Sequence, residues 1–271
     1  ELRFDPSGTV TVLTASTAGG QSHQTIYTQI VSEVLGMDSD MIRCVEGDTS
    51  KHAWGSGTGA ARTATICGSV VLLAAQKTRE KCRKIAAHML ETAEEDINFD
   101  DGNFTVTGTD RSINFIDVAK TAFKPDRLPE GMEFGLNETA SWTPNASNIP
   151  NDFHICEVEI DPETGKSQLV KYSAVHDVGV ELNPALVDGQ AVGAIAQAAG
   201  QALMEQIVYD PASGQNLTGS FLDYCMPRAD DFCEFQIDRH PVPTKQNPLG
   251  VKGAGEGGTV AGIAAVMNAI H

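Results

Sequence analysis

The stretch that decides the fold class is residues 153–204, FHICEVEIDPETGKSQLVKYSAVHDVGVELNPALVDGQAVGAIAQAAGQALM. Two runs that alternate apolar and polar residues, Phe153–Ile160 and Ser167–His176, are joined by a Pro- and Gly-containing turn and predict a β-hairpin. Pro184 then opens a largely apolar helix that continues to Met204. A hairpin followed by a helix, rather than a strict alternation of single strands and helices, favours an α+β fold.

The same pattern continues on both sides of this stretch, and no sequence repeat is apparent. We therefore predict an α+β protein with two mixed α/β subdomains. Residues 124–151 are rich in Pro, Gly, Asn and Thr and predict a crossing between the subdomains, which we place at residues 1–130 and 131–271. The other predicted elements are a hairpin over Leu2–Ser16, a helix over Thr25–Leu35, a strand over Met41–Val45, a helix over Ala64–Thr92, a hairpin over Asn98–Thr107, a helix over Asn114–Phe123, a strand over Phe235–Asp238 and a helix over Thr259–Ile270.

Composition excludes several classes of partner. The chain has 271 residues, of which 41% are hydrophobic, so it can bury a sizeable core. Its formal charge of -17 would repel nucleic acid and an anionic membrane surface. No apolar run approaches the roughly 20 residues of a spanning helix. Six dispersed cysteines without a C-x-x-C pair predict reduced thiols in a cytoplasmic protein. The glycosylation sequons at Asn103, Asn137, Asn145 and Asn216 leave secretion as an alternative.

Glycine concentrates in three segments, Gly19–Thr25, Gly55–Thr63 and Gly250–Thr259, and each leads into a predicted helix. Free backbone N–H groups and the helix dipole make such a helix start favourable for an anion. One segment of this kind could serve only to form a turn. Three of them predict a large phosphorylated ligand.

The third segment also satisfies the dinucleotide-binding pattern, as Gly253-x-Gly255-x-x-Gly258. That pattern needs a buried strand before it and an acidic residue about 20 positions after it. Residues 246–249 are not strand-like, so a Rossmann-like nucleotide-binding module remains only an alternative.

Four segments together resemble the xanthine dehydrogenase and aldehyde oxidase family of molybdenum hydroxylases. Residues 20–25 resemble its G-Q-G-x-x-T motif, and residues 57–64 resemble a G-T-x-x-x-R-S-T-like segment. Residues 177–197 are similar to D-x-G-x-x-x-N-P…G-Q-x-x-G-x-x-x-Q, and residues 247–256 to the closing N-P-x-G-x-K-x-x-G-E motif. Ser22 replaces a family glycine, while Ala61 and Ala64 replace hydroxyl residues. The earlier half of the family's molybdenum-binding unit, with its G-G-x-F-G segment, has no counterpart here.

The resemblance implies a molybdenum-molybdopterin cofactor, alone or extended by a cytosine nucleotide, and no protein ligand to molybdenum. It implies that Glu256 is the catalytic base and that the amides of Gln21 and Gln197 hydrogen-bond the pterin and its phosphate. Structural alternatives stay open: Glu256 as a charge on a helix dipole, and Gln197 as an amide bridging helices. His23 and Lys252 would face phosphate or solvent, and Asp177 would form a turn. The cofactor-binding candidates are Gly20, Gln21, Ser22, His23, Ala60, Ala61, Arg62, Thr63, Gln197, Lys252, Gly253 and Gly255.

The implied function is oxidation of an N-heterocycle or aldehyde with water as oxygen source, with nicotinate- or purine-type substrates favoured. The resemblance places iron–sulfur clusters and FAD on partner chains or domains. The other half of the molybdenum unit would come from a longer polypeptide or from a separate subunit, as in the nicotinate dehydrogenases of this family. A non-catalytic cofactor-binding scaffold is the alternative function.

Overall fold

A computed structural model describes residues 1–52, 54–55 and 57–271, which form two compact units. The first unit comprises Glu1–Ser147 and Lys245–Leu249, and the second comprises Asn148–Thr244 and Gly250–His271. The chain leaves the first unit between Ser147 and Asn148, within residues 124–151 and beyond residue 130. The functional division at residues 130 and 131 stays a prediction.

The main sheet of the first unit is a hairpin to which a third strand is added. β1 (Leu2–Phe4) pairs antiparallel with β2 (Val10–Thr14), and β3 (Ile42–Glu46) pairs parallel with β2. The helix α1 (His23–Leu35) supplies the crossover that a parallel pair requires. A π-helical turn over Ala64–Gly68 leads into α2 (Ser69–Met89), which packs on α1 and is buried at intervals along its whole length.

A second, smaller sheet in this unit follows α2. Its strands are β4 (Ile97–Asp100), β5 (Asn103–Val106) and β6 (Ser112–Asn114), and α3 (Phe115–Thr121) follows them. The tip of the β4–β5 hairpin meets the end of α1. A Cβ atom on Gly102 would lie 2.5 Å from the carbonyl oxygen of Gly36, so this contact requires glycine.

The second unit has one sheet with two helices on one face. β7 (Asn151–Ile160) pairs antiparallel with β8 (Ser167–Asp177), and β9 (Phe235–Arg239) pairs parallel with β8. α4 (Pro184–Leu203) and α5 (Gly257–Ile270) complete the unit. The core cluster that they share with the sheet is Leu169, Tyr172, Ala174, Ile195, Ala199 and Val266.

α4 and α5 approach each other closely because small residues line their contact. A Cβ atom on Gly258 would lie 2.8 Å from the Ala194 Cβ, and one on Gly262 would lie 2.7 Å from the Ala198 Cβ. Side chains at these two positions would therefore separate the helices.

Both units share one topology: an antiparallel hairpin, a crossover helix, and a third strand parallel to the second strand of the hairpin. The sequence revealed no repeat, so this correspondence is a finding of the structure. Each unit mixes antiparallel and parallel pairs, which confirms the predicted α+β class.

Residues 245–249 return to the first unit after β9. There the Leu249 side chain lies against the π-helical turn, 2.9 Å from where a Cβ atom on Gly68 would stand. All six cysteines are free thiols. In the described part of the chain, no helix is both long enough and apolar enough to cross a bilayer.

Candidate cofactor site

The first glycine-rich segment ends in an uncapped helix start. Gly20 has φ +105°, and Ser22, the N-cap of α1, has φ +59° and gives no side-chain cap. The Gln21 side chain turns back locally, because its Oε1 accepts a hydrogen bond of 2.5 Å from the Gly19 N–H. Among the described residues, none accepts a hydrogen bond from the backbone N–H groups of residues 20–25. Within the part of the chain that the structure describes, the segment therefore presents a run of N–H donors without an acceptor.

His23 faces a buried polar network beneath this segment. It is 5% exposed, and its Nδ1 lies 3.1 Å from Glu46 Oε1. The same Glu46 oxygen accepts a 2.5 Å hydrogen bond from Ser16, whose hydroxyl lies 2.9 Å from Tyr27 OH. Burial raises the pKa of Tyr27, so it stays a neutral phenol. Glu46, Ser16 and Tyr27 were not found from the sequence, since nothing in its pattern pairs residues of β2, α1 and β3.

The second glycine-rich segment adjoins the first. The Thr17 N–H donates to Thr58 Oγ1 at 3.0 Å, which joins the two loops within the first unit. Ala60 and Ala61 have φ of +52° and +49°, a conformation that costs energy in residues with a Cβ. Arg62 is exposed and Thr63 is buried where the π-helical turn begins. Ser56 of this segment lies outside the described residues.

The third segment carries Glu256 at the start of α5. Glu256 is the exposed N-cap residue, and in the described part of the chain its carboxylate has no hydrogen-bond or ion-pair partner. None of the described residues accepts from the backbone N–H groups of residues 253–259. A Cβ atom on Gly257 would lie 2.0 Å from Asp152 Oδ2, so a side chain at this position would displace the Asp152 carboxylate. Val251, just before the Gly253-x-Gly255-x-x-Gly258 pattern, makes an isolated bridge to Gly179 and not a strand, so the context of a Rossmann-like module is not met.

Asp177 anchors this segment and does more than form a turn. Its carboxylate accepts hydrogen bonds from the N–H groups of Gly179 and Val242 and pairs with Lys252 Nζ at 2.5 Å. Burial raises the pKa of Asp177, but the bonds from Lys252, Val242 and Gly179 outweigh burial and lower it to about 2. The Lys252 N–H also donates to the Val178 carbonyl oxygen at 2.7 Å. The Nζ ammonium and the backbone N–H of Lys252 therefore both have partners within the second unit.

Gln197 lies on the exposed side of α4, near the start of α5. Its Oε1 is 3.5 Å from Thr259 Oγ1, a long contact, while the same hydroxyl donates to the Ala194 carbonyl oxygen at 3.0 Å. The Gln197 amide is thus only weakly tied to α5. Within the second unit the structure brings Gln197, Gly255 and Glu256 to the region where α5 begins; within the first it joins the two remaining glycine-rich segments.

The helix starts divide into two kinds. Asn114 caps α3 and Asn183 caps α4 through their side chains. The helices that follow the three glycine-rich segments have no side-chain cap. Side-chain caps therefore occur at α3 and α4, and the described helix starts where the sequence predicts an anionic ligand lack them.

A second group of polar residues, which the sequence analysis missed, lies under α5. Asp152, His154 and His176 share the inner face of the second unit's sheet, and each offers a ligand-type atom within 4.8 Å of the others. The only signal in the sequence is the i, i+2 spacing of Asp152 and His154 on one strand.

Comparison with known proteins decides the family. The model of the molybdopterin cofactor-binding domain matches residues 1–233. The chain belongs to this family. The resemblance to xanthine dehydrogenases and aldehyde oxidases is confirmed for this molybdopterin-binding domain, and the closing loop with Glu256 lies beyond the matched range.

Relatives match over almost the whole domain. The large subunit of nicotine 6-hydroxylase from Paenarthrobacter nicotinovorans is 39% identical over 272 residues, covering 100% of this chain and 33% of the relative. The carbon monoxide dehydrogenase large chain of Hydrogenophaga pseudoflava is 34% identical, covering 99% and 34%. The crystal structure of quinoline 2-oxidoreductase from Pseudomonas putida 86 superposes with a TM-score of 0.89 at 36% identity, covering 98% and 34%. The chain thus spans about one third of the length of the relatives it matches.

Proposed function

We propose that this chain is the part of a molybdenum hydroxylase that holds the pterin cofactor and carries the catalytic base. The reaction would be oxidation of an N-heterocycle or an aldehyde with water as the oxygen source. Nicotine 6-hydroxylase and quinoline 2-oxidoreductase, both named for N-heterocyclic compounds, support the first substrate class. We therefore favour a nicotinate- or purine-type ring.

The observation that carries this proposal is a set of three helix starts without a side-chain cap, two of which have backbone N–H groups with no acceptor among the described residues. A phosphorylated pterin has phosphate oxygens and ring acceptors, and such donors suit both. The side chains fit as well: Gln21 and Gln197 offer amides, and Gly20, Gly253 and Gly255 leave the backbone open. The family match supports this fit, since it covers the first two of these segments.

We assign two roles among the candidates. Gln21, Ser22, Ala60, Ala61, Arg62, Thr63 and Gln197, with the glycines, would contact the cofactor. His23 and Lys252 have their polar atoms engaged by Glu46 and Asp177, so we expect them to hold the loops in shape rather than to contact phosphate.

When bound, the molybdenum cofactor would supply the two-electron oxidation chemistry. Glu256 would accept a proton at its carboxylate during the reaction. Its flanking residues, Gly255 and Gly257, carry no side chain that could shield the carboxylate, and Asp152 fills the space beneath Gly257.

The electrons would leave through iron–sulfur and flavin centres on partner chains or domains, and the remaining cofactor contacts would come from the other half of the molybdenum unit. The six free thiols fit a reducing compartment, so we place the protein in the cytoplasm.

Elemental analysis of the purified full-length protein tests the proposal. We expect one molybdenum atom per copy of this chain, together with a releasable pterin. Protein that is folded but free of molybdenum and pterin, when produced in a host that makes the cofactor, would favour the non-catalytic scaffold instead.

A further inference from the structure

Three residues of the second unit form a group with the composition of a transition-metal site. Asp152 and His154 are two positions apart on β7, so their side chains share one face of the sheet. His176 on β8 is the register partner of Asp152. The ligand-type atoms of the three residues all lie within 4.8 Å of one another.

Both imidazoles are held through one nitrogen and leave the other without a partner. His176 Nδ1 is hydrogen-bonded to Asp152 Oδ1, and His154 Nδ1 lies 2.7 Å from Tyr172 OH. The two Nε2 atoms are buried, and no residue that the structure describes hydrogen-bonds to either. His176 as a whole is 4% exposed.

The hydrogen bond to Asp152 fixes what the free nitrogen of His176 can do. An ionised carboxylate only accepts, so His176 Nδ1 carries the proton and Nε2 presents a bare lone pair. Buried acceptors without a partner are unfavourable, and few proteins retain them. An imidazole that donates Nδ1–H to a carboxylate or other oxygen is the usual arrangement of a histidine whose Nε2 binds a metal.

We propose that His154 and His176, with Asp152 orienting His176, bind a divalent transition-metal ion of the zinc class, separate from the molybdenum cofactor. The imidazoles would bind through Nε2, with water as a further ligand, while Asp152 would keep its hydrogen bond to His176 Nδ1. Imidazole nitrogens suit zinc better than Ca²⁺ or Mg²⁺, which prefer oxygen ligands.

Binding requires a small adjustment of side chains. Ligand atoms around a tetrahedral zinc ion are about 3.3 Å apart, given metal–ligand bonds of about 2.0–2.1 Å. His154 is half-buried as a residue, so rotation of its side chain can adjust the distance between the two Nε2 atoms. The half-exposed His154 also gives an ion and its water ligand a way in.

Zinc binding by the full-length protein tests this proposal. We expect protein that has been dialysed against a chelator and then equilibrated with micromolar free Zn²⁺ to take up one zinc ion per chain. Elemental mass spectrometry measures the zinc content. His154→Gln and His176→Gln should each weaken zinc binding at least about 10-fold, and X-ray absorption at the zinc edge should detect two imidazole ligands. The matched control, His88→Gln on the exposed side of α2, should bind zinc as the wild type does.

Two results would overturn the site: no zinc uptake at micromolar free Zn²⁺, or uptake that both histidine variants leave unchanged. If His176→Gln is not recovered as folded protein, His154→Gln decides the question, because its half-exposed position tolerates substitution. The molybdenum content is measured in the same samples, so a failed zinc site and a failed molybdenum assignment give different results.

Discussion

Glu256 carries its carboxylate at the first turn of α5 with glycine on both sides and with no partner in the described chain. We expect Glu256→Gln to retain the molybdenum cofactor, because the amide is nearly isosteric. Turnover should fall by roughly 10² to 10⁴, the usual effect of losing a general base. Steady-state kinetics on protein of known molybdenum content measures this. Glu163→Gln, a change at an exposed turn of the same unit, is the matched control and should leave turnover unchanged.

Near-normal turnover of Glu256→Gln at full molybdenum content would show that Glu256 is not the catalytic base. Its role would then be that of a charge that interacts with the helix dipole.

The Gln197 amide either contacts the cofactor or bridges α4 and α5, and substitution distinguishes these two roles. If Gln197 contacts the cofactor, Gln197→Ala leaves buried ligand atoms unpaired at about 1–3 kcal/mol, and the molybdenum content falls. Sites that still hold cofactor should turn over normally. Gln201→Ala, at an exposed position one helical turn further along α4, should keep its molybdenum. Unchanged metal content with a lower unfolding temperature would instead identify Gln197 as a residue that bridges α4 and α5.

At the scale of single residues, the sequence did not predict the side-chain contacts of the candidate site residues. It singled out Lys252 as a residue facing phosphate or solvent, but the structure pairs it with Asp177, 75 positions away. His23 likewise meets Glu46 across a strand pair. A side-chain partner that is distant in the chain depends on strand register and helix placement, and neither follows from local composition.

Gly262 and Gly193 give a matched test of the contact between α4 and α5. Both are helical glycines, but a Cβ atom on Gly262 would lie 2.7 Å from the Ala198 Cβ, whereas one on Gly193 would meet no atom within 4 Å. Gly262→Ala should cost about 1–3 kcal/mol through overpacking. Gly193→Ala should leave stability unchanged or raise it by up to about 1 kcal/mol, since alanine is the better helix former.

Thermal unfolding followed by circular dichroism compares the two variants. The Gly262→Ala midpoint should fall by at least about 3 °C, while the Gly193→Ala midpoint should not fall. Equal losses in both variants would mean that small residues at the α4–α5 contact are not what allows the close approach.

At the scale of elements, local signals were sufficient for most of the fold. The predicted helix over residues 184–204 is α4, Pro184–Leu203, because its start has both a proline and the Asn183 cap. The hairpin over residues 98–107 was also found, but its third strand, β6, was not. The parallel pairings of β3 and β9 could not be predicted either, because each joins strands separated by a helix and leaves no local pattern.

At the scale of the whole molecule, we expect this chain to lack part of its cofactor site when it is produced by itself. The outer face of the second unit's sheet exposes Phe153 (65%), Ile155 (56%) and Val175 (38%), and apolar neighbours of this kind normally contact another surface. We expect the isolated chain to bind a hydrophobic dye, to self-associate and to contain no molybdenum cofactor. Exchanging Phe153 and Ile155 for threonine, which keeps strand propensity, should reduce dye binding. A monodisperse monomer with full cofactor would contradict this expectation.

Native mass spectrometry of the complex then identifies what supplies the missing contacts. A subunit near the 28.8 kDa of this chain would favour a molybdenum unit divided between two subunits. A subunit about three times as heavy, in line with the one-third coverage of its relatives, would favour one continuous polypeptide.

The return of residues 245–249 to the first unit has a consequence during synthesis. A ribosome releases the chain from its N-terminus, so β1 to α3 emerge long before Leu249, which packs on the π-helical turn at Gly68. The first unit must therefore wait for nearly the whole second unit to be translated before its own packing is complete. Until then the glycine-rich segment beside that turn lacks the support of Leu249, so the first unit reaches its final packing only after residue 249 has left the ribosome.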